Sequence, residues 1–432
     1  MLRRSRGSDE DDFVQLSRSL LAQRGEATAA ALAQTLVETT RALDDDARLR
    51  FFRFLARELS PDGEAVLEAA EAYAADPGPA HLAALERAVE PARQELFRRM
   101  NFAPGGTAAL VRLRADLKDR MAEHPELAAV DNDLLHLFIS WFNRGFLTLV
   151  RIDWSSPAAL LEKLIAYEAV HEIRGFQDLR RRLSADRRCF AFFHPALPEE
   201  PLVFVEVALT EGMVEGIAPL IDPDRPELDP RSADSAIFYS ISNCQKGLSG
   251  VSFGSFLIKQ VAVELQNELP DLKIFATLSP VPGFVSWLRA LGSEQAGEDD
   301  QRVREILEIL EVLDQPGWID DAAASETIRP ALIDLCAHYL IHARRADGFP
   351  LDRVARFHLG NGAGLERINW LADRSPRGLE RSAGMMVNYR YRLDRLEQNH
   401  EAYVNQKRVV AARPVEQAAR KARLRATRTE AA

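Results

Sequence analysis

The stretch Ser240–Phe284, SISNCQKGLSGVSFGSFLIKQVAVELQNELPDLKIFATLSPVPGF, carries the reading of the whole chain. It continues an apolar strand, AIFYSIS (Ala236–Ser242), into Gly247-Leu248-Ser249-Gly250-Val251-Ser252-Phe253-Gly254. Glycines in such a loop let backbone amides approach a ligand with no Cβ in the way. From Ser255 to Leu269 the residues Leu257, Val261, Leu265 and Leu269 recur at i, i+4, which predicts an amphipathic helix with the loop at its N-terminus. That arrangement suits a pyrophosphate and points to an acyl-CoA site. KIFATL then returns as a strand, and LSPVPGF closes the segment as a turn stiffened by its prolines.

The composition around this segment is that of an ordinary enzyme. The 432 residues are 47% hydrophobic and 28% charged, enough for about two or three domains with cores of their own. Fifty-five basic against 65 acidic residues leave a net charge of −10, which argues against a nucleic-acid partner because only the C-terminal tail concentrates the basic residues. Cys189, Cys244 and Cys336 are too few and too widely spaced for a disulfide framework or a CxxC zinc site, and they read as core thiols. No apolar run approaches the ~18 residues of a membrane span. The start, MLRRSRGSDEDDF, turns acidic where a secretory signal needs an apolar stretch, and TRTEAA at the end lacks a peroxisomal SKL. The expectation is a cytoplasmic protein with no membrane partner.

Residues 1–160 are rich in Ala, Leu, Glu and Arg, with helical spacings such as Phe51, Phe54, Leu55 and Leu59, and are broken by PDG at Pro61 and DPGP at Asp76. The segment predicts an all-helical bundle. Its last clear helix carries Leu134, Leu135, Leu137, Phe138, Trp141 and Phe142, a face that suits either a bundle core or a subunit interface. After a helical connection over Ala158–Leu183, strand-like runs CFAFFHP and LVFVEVAL open a mixed α/β domain over 161–412. The fold class expected is therefore α+β. IDPDRPELDPRSAD (221–234) and GSEQAGEDDQ (292–301) read as surface loops, and 413–432 as a solvated basic tail.

Few residues outside the loop offer chemistry. Ser279 follows a strand and is held by Pro280 and Pro282, so its hydroxyl is presented rigidly; by itself this is ordinary turn chemistry. His358 stands in RFHLGNGAGLERINW, where a strand-like FHL meets a Gly-Asn-Gly turn, and alone it reads as a core histidine. Asp334, His338 and His342 share one helical face, but without the glutamate of a zincin they read as a half-buried amphipathic helix, so no metal site is expected. His194 before Pro195 reads as a loop residue, and Tyr389 and Tyr391 as alternating strand residues.

Taken together, these segments resemble the malonyl-CoA decarboxylase family. The resemblance runs from EAVHEIRGFQDLRRRL (Glu168–Leu183) through RRCFAFFHP, EPLVFVEVAL, FYSISNCQKGLSGVSFGSFLIK, LSPVPGF, FHLGNGA and RINW to NYRY. In residues 1–160 it extends only to length and helical character. It implies a helical N-terminal domain, used for assembly into a homotetramer, followed by a GNAT-like catalytic domain that works without a cofactor, CoA being part of substrate and product. Carried over by position, the catalytic serine falls on Ser279, the catalytic histidine on His358 and an active-site tyrosine on Tyr391. The CoA-phosphate loop falls on Ser249, Gly250, Val251, Ser252, Phe253, Gly254 and Ser255. Many relatives carry a glutamate where this chain has Ser252, so that carboxylate's role does not transfer.

The implied chemistry suits these residue types. Malonyl-CoA loses CO2 to leave a thioester enolate, which needs a stabilised oxyanion and a proton at carbon before it becomes acetyl-CoA. Ser279 and His358 can supply both. Phe275, Phe284 and Trp287 are candidates for an apolar wall around the departing carboxylate. Three alternatives stay open: a serine acyl-enzyme, a GNAT-type CoA-dependent acyltransferase, and an interaction protein with a vestigial acyl-CoA domain.

Overall fold

The computed structural model describes residues 8–251, 253, 257–294, 301–422 and 428–429. Up to residue 142 the regular structure is helical: α1 (Ser8–Ala22), α2 (Glu26–Ala42), α3 (Asp45–Arg57), α4 (Gly63–Ala75), α5 (Pro79–Val89), α6 (Ala92–Asn101), α7 (Gly106–Arg120) and α8 (Ala128–Trp141). Side-chain caps mark two of the starts. The Asp44 carboxylate accepts from Ala47 N–H and the Asp62 carboxylate from Glu64 N–H, satisfying amides that the first turn leaves open. The PDG and DPGP turns separate α3 from α4 and α4 from α5, as their chemistry predicts. Phe13, Phe51, Phe52, Leu55, Leu96 and Phe97 form the buried centre, with Phe13 edge-on to Phe51 at 5.3 Å. In contrast, α4 and α5 bury no residue.

These helices belong to the first of two compact units, which comprises residues up to 148 together with 193–202 and 243–253. The second unit takes 149–192, 203–242 and the chain from 254 onward. Its strands are β1 (Thr148–Ile152), β2 (Arg187–Phe193), β3 (Val203–Thr210), β4 (Ser235–Asn243), β5 (Ile274–Thr277), β6 (Ser279–Pro280), β7 (Arg344–Arg345), β8 (Gly364–Asn369), β9 (Met386–Arg390) and β10 (Arg428–Thr429). Its helices are α9 (Ala158–Tyr167), α10 (Phe176–Arg182), α11 (Ala218–Ile221), α12 (Leu257–Glu268), α13 (Phe284–Glu294), α14 (Gln301–Leu313), α15 (Ala322–His342), α16 (Arg353–Gly360), α17 (Pro376–Ser382), α18 (Leu396–Gln406) and α19 (Arg413–Lys421).

The main sheet runs β1-β2-β3-β4-β5-β9-β6, with β8 also paired to β9, while β7 pairs with β10. Antiparallel β2–β3 and the parallel β4–β5 pair, joined through α12, make the sheet mixed. β2 and β3 are buried along almost their whole length, which explains why they read as unbroken apolar runs rather than as alternating ones. The fold is thus α+β, helical first and mixed afterwards. Among the described residues no helix is long and apolar enough to cross a membrane. Cys189, Cys244 and Cys336 are buried, and none of them forms a disulfide among the described residues.

Two local readings change. FHL is not a strand: Phe357, His358 and Leu359 lie in the last turn of α16, which is capped by Asp352, whose carboxylate accepts from Ala355 N–H at 2.8 Å. A short apolar run cannot be told from a strand until its cap is recognised. The start of the basic tail is not solvated either. Arg413–Lys421 forms α19, with Pro414 in its first turn, and buries Val415, Ala418 and Ala419, packing on α15. The loop read at 221–234 holds as turns around a short 3-10 segment. In the loop read at 292–301, Gly292–Glu294 belong to α13 and Gln301 opens α14, while 295–300 lie outside the described residues.

Candidate active site

The second unit brings Ser279, His358 and Tyr391 into one hydrogen-bonded line. Ser279 opens β6 and pairs with Val387 of β9, which fixes its backbone. His358 sits on the last turn of α16, and the chain leaves that helix through Asn361 and Gly362. Gly362 has φ +82°, and a Cβ there would lie 2.2 Å from the Leu396 carbonyl oxygen, so this turn admits only glycine. Tyr391 follows β9 directly and its N–H donates to Phe275 O at 2.8 Å. Ser279 Oγ lies 2.9 Å from His358 Nε2, and the Tyr391 hydroxyl lies 2.8 Å from His358 Nδ1. All three residues are buried, at 6%, 3% and 2% exposure.

A second layer holds this line in place. The register of β9 is continuous from Ala276↔Arg390 to Ser279↔Val387. Between those pairs, the Thr277 side chain stands in for a ladder carbonyl: its Oγ1 accepts Tyr389 N–H at 3.1 Å. The Ser279 hydroxyl lies 2.9 Å from the same oxygen. Asn388, fully buried, donates to Thr277 O at 2.7 Å and accepts from Arg367 Nε at 3.0 Å and Asn369 Nδ2 at 2.9 Å. RINW and NYRY are therefore two strands of one clamp, β8 against β9, closing on the strand that presents Ser279. Tyr389 stacks on the imidazole at 4.6 Å, and Phe238 lies 6.1 Å from the Tyr391 ring. Of the candidates for an apolar wall, Phe284 and Trp287 stack together and pack on Tyr339 of α15.

Burial sets the electrostatics. It pushes the His358 imidazole down to about 3 and the Tyr391 phenol well above its ordinary value, so both are neutral at physiological pH. His171 is likewise pushed down to about 4, by burial and then by the Arg182 charge. Such histidines bind protons in the unfolded chain below about pH 6.5 and not in the fold, so their contribution to stability is complete above that pH and is lost as pH falls toward 4. Each should steepen the acid loss of stability by up to about 1.4 kcal/mol per pH unit in that window. Unfolding midpoints in urea at pH 7.0, 6.0 and 5.0 should therefore fall less steeply for His171→Gln than for the natural protein; parallel slopes would remove His171 from the account.

The glycine loop after β4 lies in the first unit, where Ser249, Gly250, Val251 and Phe253 are placed; Ser252, Gly254 and Ser255 lie outside the described residues. Its described part is moulded on α7 and α8. Gly247 is glycine because a Cβ would sit 1.9 Å from the Val111 carbonyl oxygen, a packing requirement rather than a ligand's. Gly250 takes φ +89° beside Leu135. Arg114, 1% exposed, donates to the carbonyls of Gly247 at 2.7 Å and Ser249 at 2.8 Å, and pairs with buried Asp131 at 2.8 Å. Nothing in the local sequence marked Arg114 or Thr277.

The remaining candidates take structural places. His338 lies buried in α15 between Trp287, stacked at 6.2 Å, and His342 at 5.1 Å. His194 is buried at the turn after β2, with its ring 4.9 Å from Phe142. Among the described residues no group of three His, Cys, Asp or Glu is gathered as metal ligands would be.

Comparison with known proteins agrees along most of the chain. Family models described as the malonyl-CoA decarboxylase N-terminal domain and C-terminal domain match residues 59–142 and 145–430. The mitochondrial malonyl-CoA decarboxylase of Anser anser anser is 39% identical over 348 residues, 75% of this chain and 69% of that protein. The Mus musculus enzyme is 38% identical over 354 residues, 77% of this chain and 72% of that protein. Among solved structures, malonyl-CoA decarboxylase from Rhodopseudomonas palustris superposes with a TM-score of 0.90 at 50% identity, covering 94% of this chain and 99% of that one. The protein of that name from Agrobacterium vitis gives 0.87 at 47% identity with the same coverage. With matches to both domains and relatives of this closeness, the chain belongs to the malonyl-CoA decarboxylase family of enzymes.

Proposed function

We propose that the chain converts malonyl-CoA to acetyl-CoA and CO2 without a cofactor, with Ser279 and His358 as the groups that stabilise and protonate the thioester enolate. The observation that carries this is the buried line Ser279–His358–Tyr391, a neutral donor set with no ionised group at its centre. As the bond between the carboxylate carbon and the α-carbon breaks, its electron pair passes into the thioester as an enolate and CO2 leaves. The substrate is its own electron sink. Fixed donors cost no reorganisation when the oxyanion forms, and each is worth ~10²–10³ in rate. A proton then reaches the α-carbon, so each turnover takes one proton from solvent. In this reading Ser249–Ser255 bind the CoA phosphates, the assembly is a homotetramer, and the enzyme works in the cytoplasm.

The test is release of CO2 and acetyl-CoA from malonyl-CoA with EDTA present, beside acetyl-CoA offered with amine acceptors. Metal-independent decarboxylation without amine acylation is the expected result. Amine acylation without CO2 release would put an acyltransferase in its place.

A further inference from the structure

We infer that Thr277 is a positioning residue that sets the resting protons of the site: its hydroxyl takes the Ser279 proton, so that His358 carries its own proton on Nε2 and donates it to Ser279. The inference rests on the reading of Ser279 and His358 as the catalytic pair and deepens it.

Two chains of accounting, begun at opposite ends, reach the same arrangement. The first begins at Thr277. Tyr389 N–H can only donate, so it occupies one lone pair of Thr277 Oγ1 at 3.1 Å. Val387 O can only accept, so the Thr277 proton points to it, at 3.4 Å. What remains on Thr277 is a lone pair, and the Ser279 hydroxyl donates to it at 2.9 Å. Ser279 Oγ then has only lone pairs to offer His358, and Nε2 must bear the hydrogen at 2.9 Å. The second begins at Tyr391. Among the described residues its buried hydroxyl has one hydrogen-bond partner, His358 Nδ1 at 2.8 Å. A buried phenol with one partner gives its proton to that partner. Nδ1 is therefore the acceptor, and a neutral imidazole keeps its proton on Nε2.

The opposite arrangement, Ser279 donating to Nε2, would aim Nδ1–H at the Tyr391 hydroxyl and leave the phenolic proton buried without an acceptor among the described residues. It would also turn the Thr277 proton away from Val387 O. The resting serine is thus not primed as a nucleophile by its histidine, and the site holds an acid ready to use. When the enolate carbon takes a proton through Ser279, the Nε2 hydrogen moves to Ser279 Oγ and the Tyr391 proton moves to Nδ1. A solvent proton entering at Ser279 then passes to Nε2 as the Nδ1 hydrogen returns to the phenolate, which restores the resting line. The imidazole stays neutral throughout, and the thioester enolate carbon is a far stronger base than a phenolate.

The direct test is the 15N spectrum of the full-length protein labelled at its histidines, with His358 assigned by its absence in His358→Gln. Expected at pH 7 is a protonated Nε2 and an unprotonated Nδ1 in the natural protein and in Thr277→Ser, which keeps the hydroxyl. Thr277→Val should shift the proton toward Nδ1 and lower kcat for malonyl-CoA roughly tenfold, the worth of one buried hydrogen bond, with KM nearly unchanged. A proton on Nδ1 in the natural protein would overturn the inference, and that measurement needs no variant to fold. A Thr277→Val protein with natural tautomer and kcat would overturn the part given to Thr277. Absence of any malonyl-CoA turnover by the natural protein would instead count against the functional reading and leave the tautomer as measured.

Discussion

Alanine at Ser279 or at His358 is expected to lower kcat for malonyl-CoA by about 10²–10⁴, and alanine at both to cost little more than the worse of the two. The non-additivity follows from the geometry. Each residue has the other at 2.9 Å as its partner in the line, and both are buried beyond the reach of a substituting solvent network. Removing His358 strips Ser279 of the donor that can replace its proton; removing Ser279 leaves His358 with no group to deliver through. The effect should fall on kcat rather than KM, because neither side chain belongs to the loop read as holding the CoA phosphates. CO2 release across a substrate series, with circular dichroism to confirm folding, measures it. Full kcat in either variant would take the pair out of the reaction.

The largest expected loss of stability lies at the other end of the chain. Replacing Arg114 with leucine leaves Asp131, buried at 6% exposure, with only the distant Lys118 ammonium at 4.0 Å, and deprives the Gly247 and Ser249 carbonyls of their donor. Breaking one side of a buried pair of this kind costs about 3–5 kcal/mol. Pairing the change with Asp131→Leu should recover much of that, because no buried charge is then left alone. It should not restore the loop, whose carbonyls still lack the guanidinium. If Ser249–Ser255 bind the CoA phosphates, the double variant will fold and yet keep a raised KM. Urea unfolding and KM measured on the same samples separate the two effects; a double variant with natural KM would mean that the loop does not depend on Arg114.

Much of this was legible in the residues. β2, β3 and β4 announce themselves as apolar runs, α8 by its broad face, and the turns at Pro61 and Asp76 by their prolines and glycines. Ser279, His358 and Tyr391 could be named from the family resemblance, though not as a hydrogen-bonded line, because the spacing between 279, 358 and 391 carries no geometric information. His358 reads as a strand residue until Asp352 is weighed as a helix cap. Thr277 escaped notice because its role depends on a side chain replacing a carbonyl in the ladder, which no pattern of hydropathy encodes. Arg114 escaped for a similar reason: it is one arginine among many in charged helices, and its carbonyl partners lie 133 and 135 residues away.

The chain crosses between its units several times, since 193–202 and 243–253 return to the helical unit before the mixed unit is complete. The two halves are therefore not modules that evolution or an experimenter can separate at residue 149. A polypeptide beginning there would carry Gly247 and Ser249 without Val111 to pack on or Arg114 to bond them, and one ending there would keep the Arg114–Asp131 pair but leave Arg114 without the two carbonyls it bonds. During synthesis the helices leave the ribosome first but cannot finish their surface until more than a hundred further residues have followed. Damage early in the chain, far from Ser279 in sequence, is thus transmitted to the loop by covalent interlacing rather than by any signal through the fold.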